Sequence, residues 1–264
     1  MGEIPKWKTA ITEIGPGKIS VRGRPIQDLM AESTFADVVY LLLKGEDPPP
    51  GHGRLMDAIL ISSVDHGASP PSTLAARTVA STGVPLTAAL ASGILSIGRW
   101  HGGAVEACMR LLIDAVRRRR AEDRPAAEIA RELVEESARE KKRLSGFGHR
   151  IHPVDPRKVK LFAMADELGV SGDHVEMARA IEAALETQLG KKLPINVDGA
   201  IAAVLCEMGF PPEIGNAFFI IARVAGLVAQ IREEQTREKP MRVIHPRDFE
   251  YDGPSPGGRE SDAT

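Results

Sequence analysis

The chain has 264 residues, 43% of them hydrophobic and 27% charged, which are the proportions of a folded globular protein rather than a disordered one. Its length accommodates one large domain or two coupled subdomains. Lys and Arg (34) nearly balance Asp and Glu (36), so no overall positive field recruits nucleic acid or an anionic membrane. Aromatics make up only 4%, and the apolar residues are mostly Ala, Leu, Ile and Val at helical spacing. Lys18–Arg24 alternates before a glycine turn and reads as a short strand. A helix over Thr34–Lys44 opens with a capping-box pattern (Thr34, Asp37) and stops at Gly45. Pro48–Pro50 separate it from an amphipathic segment at Leu55–Val64. Further helices are expected at Ser72–Ser81, Pro85–Ile97, Ala104–Arg119, Ala126–Arg143, Pro156–Leu168 and His174–Leu189. Two more are expected over Pro194–Met208 and from Pro211 to about Arg232, each with proline in its first turn. Gly253–Thr264 reads as a flexible tail. The fold class is all-α.

Two cysteines, Cys108 and Cys206, exclude a disulfide scaffold and a four-cysteine zinc module, and point to a reducing, cytoplasmic setting. The first residues hold no apolar signal core, and no apolar run approaches the ~18 residues of a membrane span. The basic run Arg117–Arg120 reads as a helix C-terminus, followed directly by Glu122 and Asp123, rather than as a nucleic-acid patch. No phosphate-binding P-loop or dinucleotide fingerprint is present. His149 and His152 lack a carboxylate partner and are followed by Pro153, which argues against a shared metal.

Reactive groups stand at four breaks between apolar helices. These are Asp65-His66-Gly67, Trp100-His101-Gly102-Gly103, Gly146-Phe147-Gly148-His149-Arg150 continuing to Asp155-Pro156-Arg157, and Asn196-Val197-Asp198 at the start of a strongly apolar helix. Taken singly, each is an ordinary cap or turn. Arg223 is a charge inside the apolar stretch Ile221–Gly226, and burial obliges it to meet an anion or an acidic neighbour.

Together with Arg22-Gly23…Ile26, these stretches resemble the citrate synthase family, in the family's order and over nearly the whole chain to about Tyr251. The chain is shorter than full citrate synthases. Asp65-His66-Gly67 with its longer loop, Thr87–Ala104, and Ile244-His245-Pro246-Arg247 are most similar to the short citryl-CoA lyases and to the citryl-CoA lyase module at the C-terminus of ATP-citrate lyase. His101 is also the histidine of the synthase triad, so citrate or 2-methylcitrate synthesis stays open, as does a catalytically silent CoA-binding dimer.

The resemblance implies a citrate synthase-like fold, with a large helical domain (1–101 and 210–251), a small domain (102–209) and a tail (252–264), assembled as a homodimer. It implies cleavage of citryl-CoA to acetyl-CoA and oxaloacetate. His149 would handle the hydroxyl that becomes a carbonyl, His101 would donate to the enolate oxygen, and Asp198 would exchange the proton on the acetyl carbon. His66, Arg157, Arg223, Arg150 and His245, the last reaching a neighbouring subunit, would bind the carboxylates. Leu144, Ser145, Gly146, Phe147, Gly148 and Asn196 would line the CoA path. The coenzyme A thioester is substrate and product; no tightly bound cofactor or metal is expected. For Asp198, the helix dipole lowers the pKa and apolar neighbours raise it, and the sequence leaves the winner open.

Overall fold

The computed structural model describes residues 7–148, 154–190 and 193–253. His149, Arg150 and His152 therefore lie outside the described residues, as does the tail from 254. The chain opens with an antiparallel meander, β1 (Thr12–Gly15), β2 (Lys18–Val21) and β3 (Arg24–Pro25). Val21 pairs with Arg24, and the two residues between them, Arg22 and Gly23, both have positive φ (49° and 80°), the tight hairpin geometry that follows strand twist. Arg22 also donates from Nη2 to the Leu42 carbonyl at 2.8 Å, tying the sheet to the helical body.

Eleven helices follow among the described residues: α1 (Ile26–Glu32), α2 (Phe35–Lys44), α3 (His52–Ser63), α4 (Pro71–Ala80), α5 (Leu86–Leu95), α6 (Ala104–Glu122), α7 (Ala126–Arg139), α8 (Pro156–Glu167), α9 (Asp173–Leu189), α10 (Val197–Glu207) and α11 (Gly215–Arg237). The all-α class holds. The capping box of α2 forms as its residues dictate, with the Thr34 hydroxyl accepting from Asp37 N and the Asp37 carboxylate from Thr34 N, and with Gly45 left-handed at φ 85°. Helix α1, with Leu29 as its only buried residue, is too short and too exposed to show in the periodicity.

Two expected helix starts are wrong. Pro194 does not open α10, because the segment Pro194–Asn196 is extended and pairs with 146–148. Gly148 N donates to Pro194 O (2.7 Å) and Asn196 N to Gly146 O (3.0 Å). Asn196 is the N-cap instead, its Oδ1 accepting from Gly199 N at 3.1 Å, a role that asparagine fills better than proline. Pro211 likewise precedes a 3₁₀ turn, Pro212–Ile214, and α11 begins only at Gly215.

Helix α10 is buried at nine of eleven positions and lies against α6, α8, α9 and α3, the pattern of a helix apolar all round. The main core gathers Tyr40, Met56, Ile59, Met109, Leu112, Ile129, Leu161, Ile181, Ile195 and Phe218. A smaller cluster (Ala76, Ala80, Ala89, Leu227, Ile231) joins α4, α5 and α11. Against the expectation that no segment is long and apolar enough for a span, Pro212–Arg237 is so by length and composition. It is a packing helix against α3, α4, α5 and α6, and it carries the buried Arg223. The arginine run at the end of α6 is committed to ion pairs: Arg118 with Glu122 and Glu132, Arg119 with Glu176, Arg120 with Asp173.

Candidate active site

Helix α3 ends at Ser63, and the segment after it carries Asp65 and His66. One face of α11 holds this segment at three successive points. Arg223 Nε donates to Ser63 O at 3.0 Å. At Gly226, a Cβ would stand 2.0 Å from Val64 O, so only glycine permits the contact. One turn on, Gln230 Nε2 donates to both Asp65 oxygens at 3.2 and 3.3 Å. Gln230 is itself fixed by Arg77 Nη1 (2.8 Å), whose Nε reaches the buried Glu234 at 2.7 Å. Asp65 Oδ2 accepts from Gly67 N at 3.0 Å, closing the turn that presents His66.

His101 sits in a tight loop closed by Gly98 N to His101 O (2.8 Å) and His101 N to Gly98 O (2.9 Å). The glycine pair after it is obligatory. A Cβ on Gly102 (φ 81°) would strike Phe219 at 2.7 Å, and one on Gly103 would strike Arg99 Cα at 2.8 Å. The imidazole packs edge-on against Phe219 (5.6 Å between centroids), and its Nε2 meets Ser72 Oγ, from the first turn of α4, at 2.7 Å. Burial, then the charge of Arg223 and His66, hold its pKa below the usual histidine value. The ring is therefore neutral near pH 7. If Ser72 donates to Nε2, the proton remains on Nδ1.

The N-terminus of α10 is organised by Asp155, which is fully buried. One carboxylate oxygen accepts from Arg157 N and Nε (3.0 Å each); the other accepts from Arg157 Nη2 (2.9 Å) and Val197 N (3.0 Å). Burial alone would raise its pKa, but the Arg157 bonds outweigh that and the carboxyl titrates low. Asn196 uses its other amide end on Gly148 O (2.9 Å). Asp198, in the first turn of α10, is pushed up by burial and by Asp155 against the opposing charges of Arg157 and Arg223. Desolvation thus outweighs the two nearby guanidinium charges.

These pieces enclose one cavity of about 620 Å³, lined by His66, His101, Gly148, Arg157, Asn196, Asp198 and Arg223, with Ser63, Trp100 and Phe219 among the remaining walls. Arg223 is 2% exposed, stacks over Phe219 at 4.5 Å, and leaves Nη1 without a hydrogen-bond partner among the described residues. Arg157, expected as a free carboxylate binder, reaches the cavity already engaged by Asp155. Leu144, Ser145, Gly146 and Phe147 are not among the lining residues, nor is His245, which stands exposed at the start of a 3₁₀ turn. The two histidine-bearing turns, Asp198 and Arg223 were all flagged by sequence; Ser63, Ser72 and Phe219 were not. A pair of hydroxyl residues on the buried face of α4, Ser72-Thr73, was the available signal.

Residues 43–247 match the family described as "Citrate synthase, C-terminal domain". The chain is 32% identical over 243 residues to the citrate/2-methylcitrate synthase of Bacillus subtilis, covering 90% of this chain and 61% of that one. Among solved structures, the citryl-CoA lyase of Hydrogenobacter thermophilus superposes with a TM-score of 0.86 at 42% identity, covering 96% of this chain and 97% of that one. The ATP citrate lyase of Methanothrix soehngenii, solved with citrate and coenzyme A, gives 0.82 at 22% identity, covering 97% of this chain and 43% of that one. The chain belongs to the citrate synthase family. It spans about three fifths of the curated synthase relatives it matches, and nearly the whole of the citryl-CoA lyase chain.

Proposed function

We infer that the protein is a citryl-CoA lyase, cleaving citryl-CoA to acetyl-CoA and oxaloacetate. The observation that carries the reading is the 42% identity to a citryl-CoA lyase over nearly the full length of both chains. A base is needed for the tertiary hydroxyl, and this role falls to His149, outside the described residues. As the carbon–carbon bond breaks, the thioester becomes an enolate whose oxygen needs a donor. His101, neutral and held by Ser72, supplies it, from Nδ1 when Ser72 donates to Nε2. Asp198, its pKa raised by burial, protonates the enolate carbon and is the proton acceptor in the reverse direction. Arg223 and the remaining valences of Arg157 take the carboxylates, together with His66 and Arg150. The CoA thioester follows 144–148 and Asn196.

The division into a large domain (1–101 with 210–251) and a small one (102–209) belongs to the same reading, with the cavity drawing walls from both. So does a homodimer in which His245 serves the neighbouring subunit. Its support is α5, an apolar helix that buries only Ala89 and Gly93 and leaves Leu86 and Leu95 45% and 85% exposed. A cytoplasmic location accords with two unpaired cysteines.

Citrate or 2-methylcitrate synthesis is the second reading, favoured by the Bacillus relative. Purified protein given citryl-CoA is expected to release oxaloacetate and acetyl-CoA rapidly without free thiol. Thiol release from acetyl-CoA plus oxaloacetate, with citryl-CoA hydrolysed rather than cleaved, would establish the synthase instead.

A further inference from the structure

Most buried or half-buried serines near helix ends in this chain have a hydrogen-bond partner. Ser62, Ser81, Ser92 and Ser96 each turn the hydroxyl back to the carbonyl three residues earlier, at 2.7 to 2.8 Å. Ser63, the last residue of α3, does not. It is 2% exposed, and its Oγ has no hydrogen-bond partner among the described residues. A buried hydroxyl left unmade costs stability, so an adjacent ligand is the economical explanation. Ser63 lines the same cavity as Arg223 and touches it: Arg223 Nε is spent on the Ser63 carbonyl at 3.0 Å, while Nη1 is buried and likewise unpartnered. Two unused donors, one cationic and one neutral, thus belong to contacting residues on one wall.

We propose that Ser63 is a substrate-binding residue, its hydroxyl and the Arg223 guanidinium together forming a subsite for one carboxylate of a di- or tricarboxylate. An ionised carboxylate is an acceptor at both oxygens, so one can take Arg223 Nη1 and the other Ser63 Oγ–H. Two acids act on Arg223 by charge, Asp65 and then Asp198, and neither is hydrogen-bonded to Nη1; Asp65 has both oxygens occupied by Gln230 and one also by Gly67. The proposal rests on the reading of this cavity as the oxaloacetate and citryl site, and adds to it a neutral donor that selects for an acceptor beside the arginine.

Calorimetry on the full chain, with citrate and oxaloacetate as probes and CoA as the control, tests it. A hydrogen bond to a charged group is worth roughly tenfold to a hundredfold in affinity. Ser63→Ala is expected to weaken citrate and oxaloacetate by at least about tenfold, to leave CoA unchanged, and to raise KM for citryl-CoA more than it lowers kcat. The ligand-free variant should melt no lower than the wild type, because the substitution removes a hydroxyl that nothing satisfied. Binding of both probes within twofold of wild type, or an equal loss for CoA, would overturn the assignment while leaving the lyase reading intact. A wild-type protein that binds neither probe would bring down the cavity reading, and this subsite with it.

Discussion

Asp198, the proposed proton donor to the enolate carbon, shows how burial changes a single carboxyl. The charges of Arg157 and Arg223 favour the anion, but burial opposes ionisation more strongly and its pKa is raised. The sign of the pH dependence follows. A raised folded pKa means that the native state binds the proton more tightly than the unfolded chain, so relative stability is fully present below the unfolded value of about 3.9 and is lost as pH rises through the folded value. Asp198→Asn, which does not ionise, should therefore melt higher than the wild type near pH 7, with the gain vanishing below about pH 4. The same variant should slow exchange of the acetyl-CoA methyl protons by about 10²–10⁴-fold while CoA still binds. Unchanged exchange, followed by proton NMR in heavy water, would remove the residue from its role. Asp155, two elements away, is the converse. Its carboxylate is held low by Arg157, so its contribution is present above the unfolded pKa and is lost on acidification.

At the scale of elements, helix α11 is both a packing helix and the rail on which the His66 turn is mounted. Its contacts at Arg223, Gly226 and Gln230 recur at intervals of three and four residues, one face of a helix. Gly226→Ala forces a methyl to within 2.0 Å of Val64 O, so backbone must yield. A loss of about 1–3 kcal/mol is expected in denaturant unfolding, together with a raised KM for citryl-CoA as the turn shifts. Wild-type stability in that variant would mean that the segment has slack the packing does not show. What was legible in the sequence divides along the same line. Thr34, Asp37 and Gly45 announce α2 because a cap is made by neighbours in the chain. Asn196-Val197-Asp198 and the two histidine turns stand out as polar breaks in apolar helices. The start of α10 was misplaced to Pro194 because strand-like pairing with 146–148, a partner some fifty residues away, overrides the local proline signal. Ser63 carried no mark at all, and Ser72 only its place beside Thr73. A serine at a helix end means little until tertiary packing shows which carbonyls it declines.

At the scale of the molecule, the apolar face of α5 is unsatisfied by the chain itself, since Leu86 and Leu95 point outward along with Leu74 of α4, 51% exposed. By light scattering the wild type is expected to run as the proposed dimer, and the double variant Leu86→Asp/Leu95→Asp as a monomer. A dimer that survives both charges would place the subunit contact elsewhere.

Where 146–148 meets the first turn of α10, two backbone hydrogen bonds are joined by a glycine pressed on a glycine: a Cβ on Gly146 would lie 2.8 Å from Gly199 Cα, and one on Gly199 would lie 2.3 Å from Gly146 O. The stretch assigned to the thioester and the helix that bears the acid are in effect welded. Any rearrangement of the cavity that leaves these contacts intact carries 146–148 and the start of α10 together, and Arg157 with them through Asp155 and Val197 N. In the proposed reaction the carboxyl would then hold one alignment to the acyl group, whatever the α11 side does.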